Sequence, residues 1–285
     1  MITGWAALAA QQSGLTRAAG ASIAGAGPAE EGAGGPMSEP VALAAARNAG
    51  LSTSLEWVFG GRSQRGWSLY APLIAHLIGT ESEAGSREFA AALARWQRAA
   101  GLAPTGVLDQ NTWAGMIARF QSRRIKDRSY PSPDQLLVAP ASDFYDPTRA
   151  EELRKVERQT YAAYKRMVAA AIADPSLSLA VGADGALAPT EKYLKIISAF
   201  RSREYQEQLR KKAPASGSAG LAVNSPHFTG RALDLYVGGD PVEARDENRA
   251  LQMRTPVYRW LVRHAEKFGF YPYFYEPWHW EYVPQ

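Results

Sequence analysis

Two short segments in the last third of the chain carry the residues best suited to chemistry. Residues 225–234 read Ser-Pro-His-Phe-Thr-Gly-Arg-Ala-Leu-Asp, and residues 276–282 read Glu-Pro-Trp-His-Trp-Glu-Tyr. They hold two of the chain's four histidines beside acidic residues at ligand-compatible offsets. His227, Asp234 and His279 can be three protein ligands of a zinc ion, with a fourth tetrahedral position left for water. Two neutral imidazoles and one carboxylate leave such a cation net positive, so it lowers the pKa of a bound water toward about 7. Glu276, three residues before His279, is the carboxylate able to take that proton and later hand it to a leaving amine. This set is that of a zinc hydrolase; the plainer alternative is a packing histidine, with Trp278 and Trp280 placing His279 in a core.

These side chains need elements to position them. Gly230 permits a tight backbone path between His227 and Asp234. Residues 232–237 alternate like a strand that would hold Asp234 near its start, although seven residues are also two helical turns, so spacing alone leaves a helix open. Residues 194–198 form an apolar, strand-like run followed by a polar turn. His264 lies on a predicted helix in which Val257, Trp260, Leu261, Ala265 and Phe268 recur at helical spacing. Thr255 would be its cap, Pro256 its first residue and Gly269 its stop. His264 is read as a packing or bordering residue, and neither it nor His76 is given a metal role.

The two segments resemble the Ser-x-His-x-x-Gly-x-Ala-x-Asp and Glu-x-Trp-His motifs of the zinc D-Ala-D-Ala carboxypeptidase family, which includes vancomycin-resistance carboxypeptidases and several phage endolysins. Every defined position is matched. Residues 198–206 are similar to the family's Ser-Gly-Tyr-Arg-Ser-x-x-x-Gln stretch, with Ala199 and Phe200 in place of Gly and Tyr. The resemblance implies that Arg201 stabilises the oxyanion that develops on the substrate carbonyl. It also makes Gln206 and Ser225 candidates for substrate binding; Ser225 would hold a terminal carboxylate or serve as a turn residue. The implied fold is α+β, a small antiparallel sheet with packed helices carrying the zinc site.

With 285 residues the chain is long enough for two modest domains. Its formal net charge of +4 suits a polyanionic cell wall, but equally nucleic acid or nothing in particular. The basic run Arg119, Arg123, Arg124, Lys126 and Arg128 contains few aromatics and reads as a solvated or wall-facing stretch, not a nucleic-acid site. Cysteine is absent, which excludes disulfides and thiolate metal ligands. The apolar stretch 5–10 is short and lacks a preceding basic residue, a poor signal peptide as written. No run reaches the roughly 18 to 20 apolar residues that span a bilayer.

Residues 1–50 read as a flexible segment, with 32–36 the least structured stretch and order beginning near Leu51. Residues 51–120 are predicted to form a small three-helix domain, with helical periodicity over 71–78, 87–97 and 112–120. This region resembles the peptidoglycan-binding domain appended to many bacterial wall hydrolases, through Trp96-Gln97, Gly101-Leu102, the turn from Thr105 and Gly106 to Asp109, and Thr112. Thr105 and Asp109 depart from the usual Asp and Gly. Residues 121–145, with Pro131, Pro133 and Pro140, are expected to be a linker. Residues 146–285 are expected to be the catalytic domain, opening with a helix at Asp146-Pro147 whose one face carries Leu153, Val156, Thr160, Tyr164, Met167 and Ala171. Residues 241–253 are expected to be an insertion that lines the substrate groove or forms an ordinary surface loop. The combined expectation is a monomeric, zinc-dependent peptidoglycan peptidase acting outside the cytoplasm, bacterial or phage-encoded, that removes the terminal D-Ala of stem peptides. An endolysin-type L-Ala-D-Glu endopeptidase and a non-catalytic wall-binding protein are the alternatives.

Overall fold

A computed structural model describes residues 38–212 and 223–284. The segments 5–10 and 32–36 lie outside the described residues. The architecture is α+β. Helices α1 (Ser38–Ser54), α2 (Ala71–Ile78), α3 (Arg87–Ala99) and α4 (Gln110–Ser122) come first, with a hairpin of β1 (Glu56–Phe59) and β2 (Arg62–Arg65) between α1 and α2. A short pair, β3 (Leu136–Val138) with β4 (Lys155–Glu157), leads into α5 (Arg158–Ile172). Then follow β5 (Ile196–Ser198), α6 (Arg203–Lys212), β6 (Ala232–Leu235), α7 (Asp246–Arg254), α8 (Pro256–His264), β7 (Phe270–Pro272) and β8 (His279–Tyr282). The principal sheet is antiparallel in the order β5-β6-β8-β7.

Helices α2, α3 and α4 form where the apolar periodicity predicts them. The Ser86 hydroxyl accepts the Phe89 N–H at 3.1 Å and the Asp109 carboxylate accepts that of Thr112 at 2.8 Å, so both later helices start on side-chain caps. Between them, the Gln97 amide builds the 105–109 turn. It accepts from Gly106 N–H at 2.8 Å and donates to the Val107 carbonyl at 3.0 Å and the Thr112 hydroxyl at 2.9 Å. Gly106 is obligatory there: its φ is +68°, and a Cβ would meet the Ala90 carbonyl oxygen at 2.8 Å.

Four sequence expectations are corrected. Residues 38–50, assigned to the flexible segment, are helical. Small side chains let α1 approach closely, so that Ala44 and Ala45 pack with Ala90 and Val107. Asn48 completes the turn by donating to Gly106 O and accepting from Leu108 N–H, both at 2.8 Å. The helix expected at Asp146 begins instead at Arg158. Asp146 closes a local turn on Thr148, the chain then extends to pair as β4, and buried Glu157 caps α5 through Thr160 N–H at 2.8 Å. For 241–253 only the surface-loop alternative fails: most of it is helix α7, whose buried Arg249 donates to the Tyr70 hydroxyl and the Tyr275 carbonyl, both at 3.0 Å. Finally, the basic run is not wholly solvated: Arg123 pairs with Glu266, and the Arg124 guanidinium lies 3.9 Å from the Tyr273 ring centroid.

The core is continuous from the helical half into the sheet. Phe274, in the turn between β7 and β8, sits among Trp57, Tyr70, Trp113 and Phe120, with ring centroids 5.5 to 6.4 Å away. No helix among the described residues is long and apolar enough to cross a membrane.

Asn48→Ala would strand a buried carbonyl and a buried N–H at the 105–109 turn. The expected loss is about 1–3 kcal/mol of stability, read as a lowered urea midpoint with an unchanged slope.

Candidate metal centre

Strand register assembles most of the site. Asp234 in β6 is paired with Ser198 in β5 on one side and with His279 in β8 on the other. Directly opposed residues hold their Cβ atoms roughly 4.5–5.5 Å apart, so three strands contribute three polar side chains to one row. His227 arrives from the single 3-10 turn Pro226–Thr229, which precedes β6. Gly230 ends that turn in the left-handed region (φ +67°), where its bare Cα lies against the backbone of Glu157: an added Cβ would sit 3.0 Å from that residue's nitrogen.

His227, Asp234 and His279 are all buried, and one ligand atom from each can be chosen so that all lie within 4.8 Å of one another. Asp234 Oδ1 stands 3.2 Å from His227 Nε2 and 3.0 Å from His279 Nδ1. The other nitrogen of each ring is engaged. His227 Nδ1 is 2.7 Å from the Ala199 carbonyl oxygen, which can only accept, so Nδ1 carries the hydrogen and Nε2 keeps its lone pair. His279 Nε2 is 3.1 Å from a carboxylate oxygen of Glu281. Two imidazole nitrogens and one carboxylate oxygen, converging and fixed from behind, fit a divalent cation of the zinc type.

Arg201 occupies the other edge of Asp234. Its Nη2 donates to Asp234 Oδ2 at 2.5 Å, its Nε to the Ser198 hydroxyl at 2.8 Å, and its Nη1 to Gln206 Oε1 at 3.4 Å. Burial works to raise the Asp234 pKa but is outweighed by His227 and Arg201, which hold it well below the ordinary carboxylate range. Burial, reinforced by Arg201, lowers the His227 pKa to about 4, so the ring is neutral and ligand-ready near pH 7.

Glu276 lies in the turn between β7 and β8, where its carbonyl accepts the His279 N–H at 3.0 Å. Its carboxyl is buried, and Oε1 has no hydrogen-bond partner among the described residues. Burial pushes its pKa up to about 7. A buried acid with an unsatisfied oxygen, poised near neutrality, suits exchange of a proton with a water or substrate at the ligand cluster.

The structure therefore brings His227, Asp234, His279, Arg201 and Gln206 into one contiguous set, with Glu276 bonded through its backbone to His279. Ser225 also adjoins it, where its hydroxyl accepts the His227 N–H at 3.3 Å and caps the turn. His76 is exposed on α2 and His264 sits at the end of α8, beside Trp260. Sequence reasoning missed Ser198, the Ala199 carbonyl and Glu281. The signal for Glu281 was present: two residues past His279 on a strand, it shares His279's face.

Comparison with known proteins agrees with this geometry. A family model described as D-alanyl-D-alanine carboxypeptidase matches residues 153–285, the span that holds every residue of the cluster. That segment is similar to the carboxypeptidase family so described. A second model, for a peptidoglycan binding domain, matches residues 76–116. Against curated proteins the chain gives no match. A carboxypeptidase-family segment joined to a peptidoglycan-binding domain makes this a cell-wall peptidase with peptidoglycan as its partner.

The Glu276 environment has a thermodynamic signature in metal-stripped protein. Its carboxyl ionises near the ordinary 4.5 when unfolded but near 7 when folded. The folded state thus holds the extra proton in that window, and stability falls as pH rises through it. Glu276→Gln removes this penalty, so the variant should gain on the parent by about 3 kcal/mol between pH 4.5 and pH 7. Urea unfolding of both proteins at several pH values checks this; parallel pH curves would show that Glu276 is not held neutral.

Proposed function

We propose that the chain is a zinc-dependent D-alanyl-D-alanine carboxypeptidase that removes the terminal D-Ala of peptidoglycan stem peptides outside the cytoplasm. The observation that carries this reading is the buried His227–Asp234–His279 cluster with the buried Glu276 carboxyl close by, its Oε1 unpartnered among the described residues, inside the segment matched by the carboxypeptidase model. His227 would offer Nε2, His279 Nδ1 and Asp234 Oδ1. A zinc ion so held supplies Lewis acidity, lowering the pKa of a water and polarising a carbonyl.

The remaining work falls to the protein's own groups. Glu276 takes a proton from the attacking water at its free oxygen and returns it to the departing amine of D-Ala. Arg201, anchored by Ser198 and Asp234, turns a cationic fork toward the cluster and stabilises negative charge as it grows on the carbonyl oxygen. Gln206 accepts from that fork and keeps its plane fixed. Ser225 and Gln206 are assigned to substrate binding, with Ser225 also setting the turn that presents His227. The helical region would hold the enzyme on the wall, raising the local concentration of stem peptides.

Digestion of a defined pentapeptide stem, followed by mass analysis, tests the bond. Loss of one D-Ala, abolished by a chelator and restored by zinc, is expected. An internal cut would replace this reading with that of an endopeptidase, and no metal-dependent product from folded protein would leave a wall-binding role. Glu276→Gln should retain zinc while turnover falls by about 10²–10⁴-fold; near-normal hydrolysis would remove Glu276 from the mechanism.

A further inference from the structure

The region expected to be a linker reaches the back of the metal cluster. Glu281, on β8, has a fully buried side chain, and one of its oxygens lies 3.1 Å from His279 Nε2. That same oxygen receives Arg124 Nε at 2.8 Å and is also contacted by Nη2. The second oxygen accepts the Ile125 backbone N–H at 2.7 Å. Arg124 is held in turn by Gln121 Oε1, 3.1 Å from its Nη1, and by the face of Tyr273. Both oxygens of the Glu281 carboxylate are therefore bound by groups that immediately follow α4.

We infer that Arg124 and the Ile125 backbone are positioning groups for the metal centre, acting through Glu281 to fix the ring of His279. This rests on the reading of His279 as a metal ligand. The chemistry is directional. Both ring nitrogens of His279 face carboxylates, Nδ1 at Asp234 and Nε2 at Glu281; because an ionised carboxylate only accepts hydrogen bonds, Glu281 keeps a hydrogen on Nε2, which leaves Nδ1 as the nitrogen that would give up its own to a cation held beside Asp234. A Glu281 free to rotate would leave both the tautomer and the tilt of the ring unset. Arg124 prevents this with a planar fork that a lysine cannot reproduce. The metal centre is thus completed by residues outside the span 153–285, at the point where the helical region ends.

Zinc affinity of the full chain, measured by competition with a chromogenic chelator, tests this separately from hydrolysis. Glu281→Gln and Arg124→Met should each weaken zinc binding by about 10–100-fold. The double variant should be no weaker than the more affected single one, because Arg124 acts through Glu281. Arg124→Lys should recover only part of the loss. Cobalt(II)-loaded Glu281→Gln should show an altered visible absorption spectrum, a change that a purely structural contact would not produce. Wild-type affinity in folded Arg124→Met, or losses that simply add in the double variant, would overturn the inference. If Arg124→Met does not fold, Arg124→Lys decides: several-fold weaker binding supports the inference, and unchanged binding overturns it. Stem-peptide hydrolysis by the parent together with unchanged variant affinities would sink the inference alone. Tight zinc binding that is sensitive to Arg124, without hydrolysis, would sink the peptidase reading alone.

Discussion

The pairing of β6 with β8 is the constraint on which the site depends. The register that sets Asp234 opposite His279 brings together residues 45 positions apart in the chain. Because strand side chains alternate between faces, a slip of one residue would send Asp234 to the opposite side of the sheet. The surrounding structure holds that register. Leu233 and Leu235 are buried on the face opposite Asp234, and β7 fixes the other edge of β8 through Phe270, Tyr271 and Pro272. Arg201, just after β5, reinforces it, bonded at once to Ser198 and Asp234.

Electrostatics within this frame divides two carboxyl groups by role. Asp234 is surrounded by His227, His279 and Arg201, so it stays ionised despite burial and serves as a fixed negative charge. Glu276 is buried without a cationic partner on its free oxygen, so its proton is held more tightly. The same residue chemistry in two environments suits one carboxyl group to hold a cation and the other to exchange a proton. Asp234 lies on β6, and Glu276 in the turn that leads into β8, the strand paired with β6.

The helical half is bound into this arrangement. Phe274 lies in the tight turn that also carries Glu276, and its ring is enclosed by Trp57, Tyr70, Trp113 and Phe120. Arg249 of α7 ties Tyr70 to the Tyr275 carbonyl. The turn between β7 and β8 is thus gripped by aromatic packing from residues distant in sequence. A peptidoglycan-binding region that shares a core with the catalytic segment differs physically from one tethered by a flexible linker.

The sequence by itself determined the candidate residues His227, Asp234, His279 and Glu276, the helical stretches 71–78, 87–97 and 112–120, and the two wall-related family resemblances. These were legible because they depend on local signals: short motifs, apolar periodicity, and the Thr255 cap. Only the tertiary structure decided what depends on distant neighbours. The α1 helix looked like a tether because its alanines bury little surface each, and its order comes from Asn48 reaching Gly106 and Leu108, about 60 residues on. Residues 155–157 left a helical pattern because an edge strand at 136–138 was available to pair with them. Arg124 looked solvent-bound because its partner, Glu281, is 157 residues away. Charge and periodicity say what a side chain can do; only the fold supplies the group it does it with.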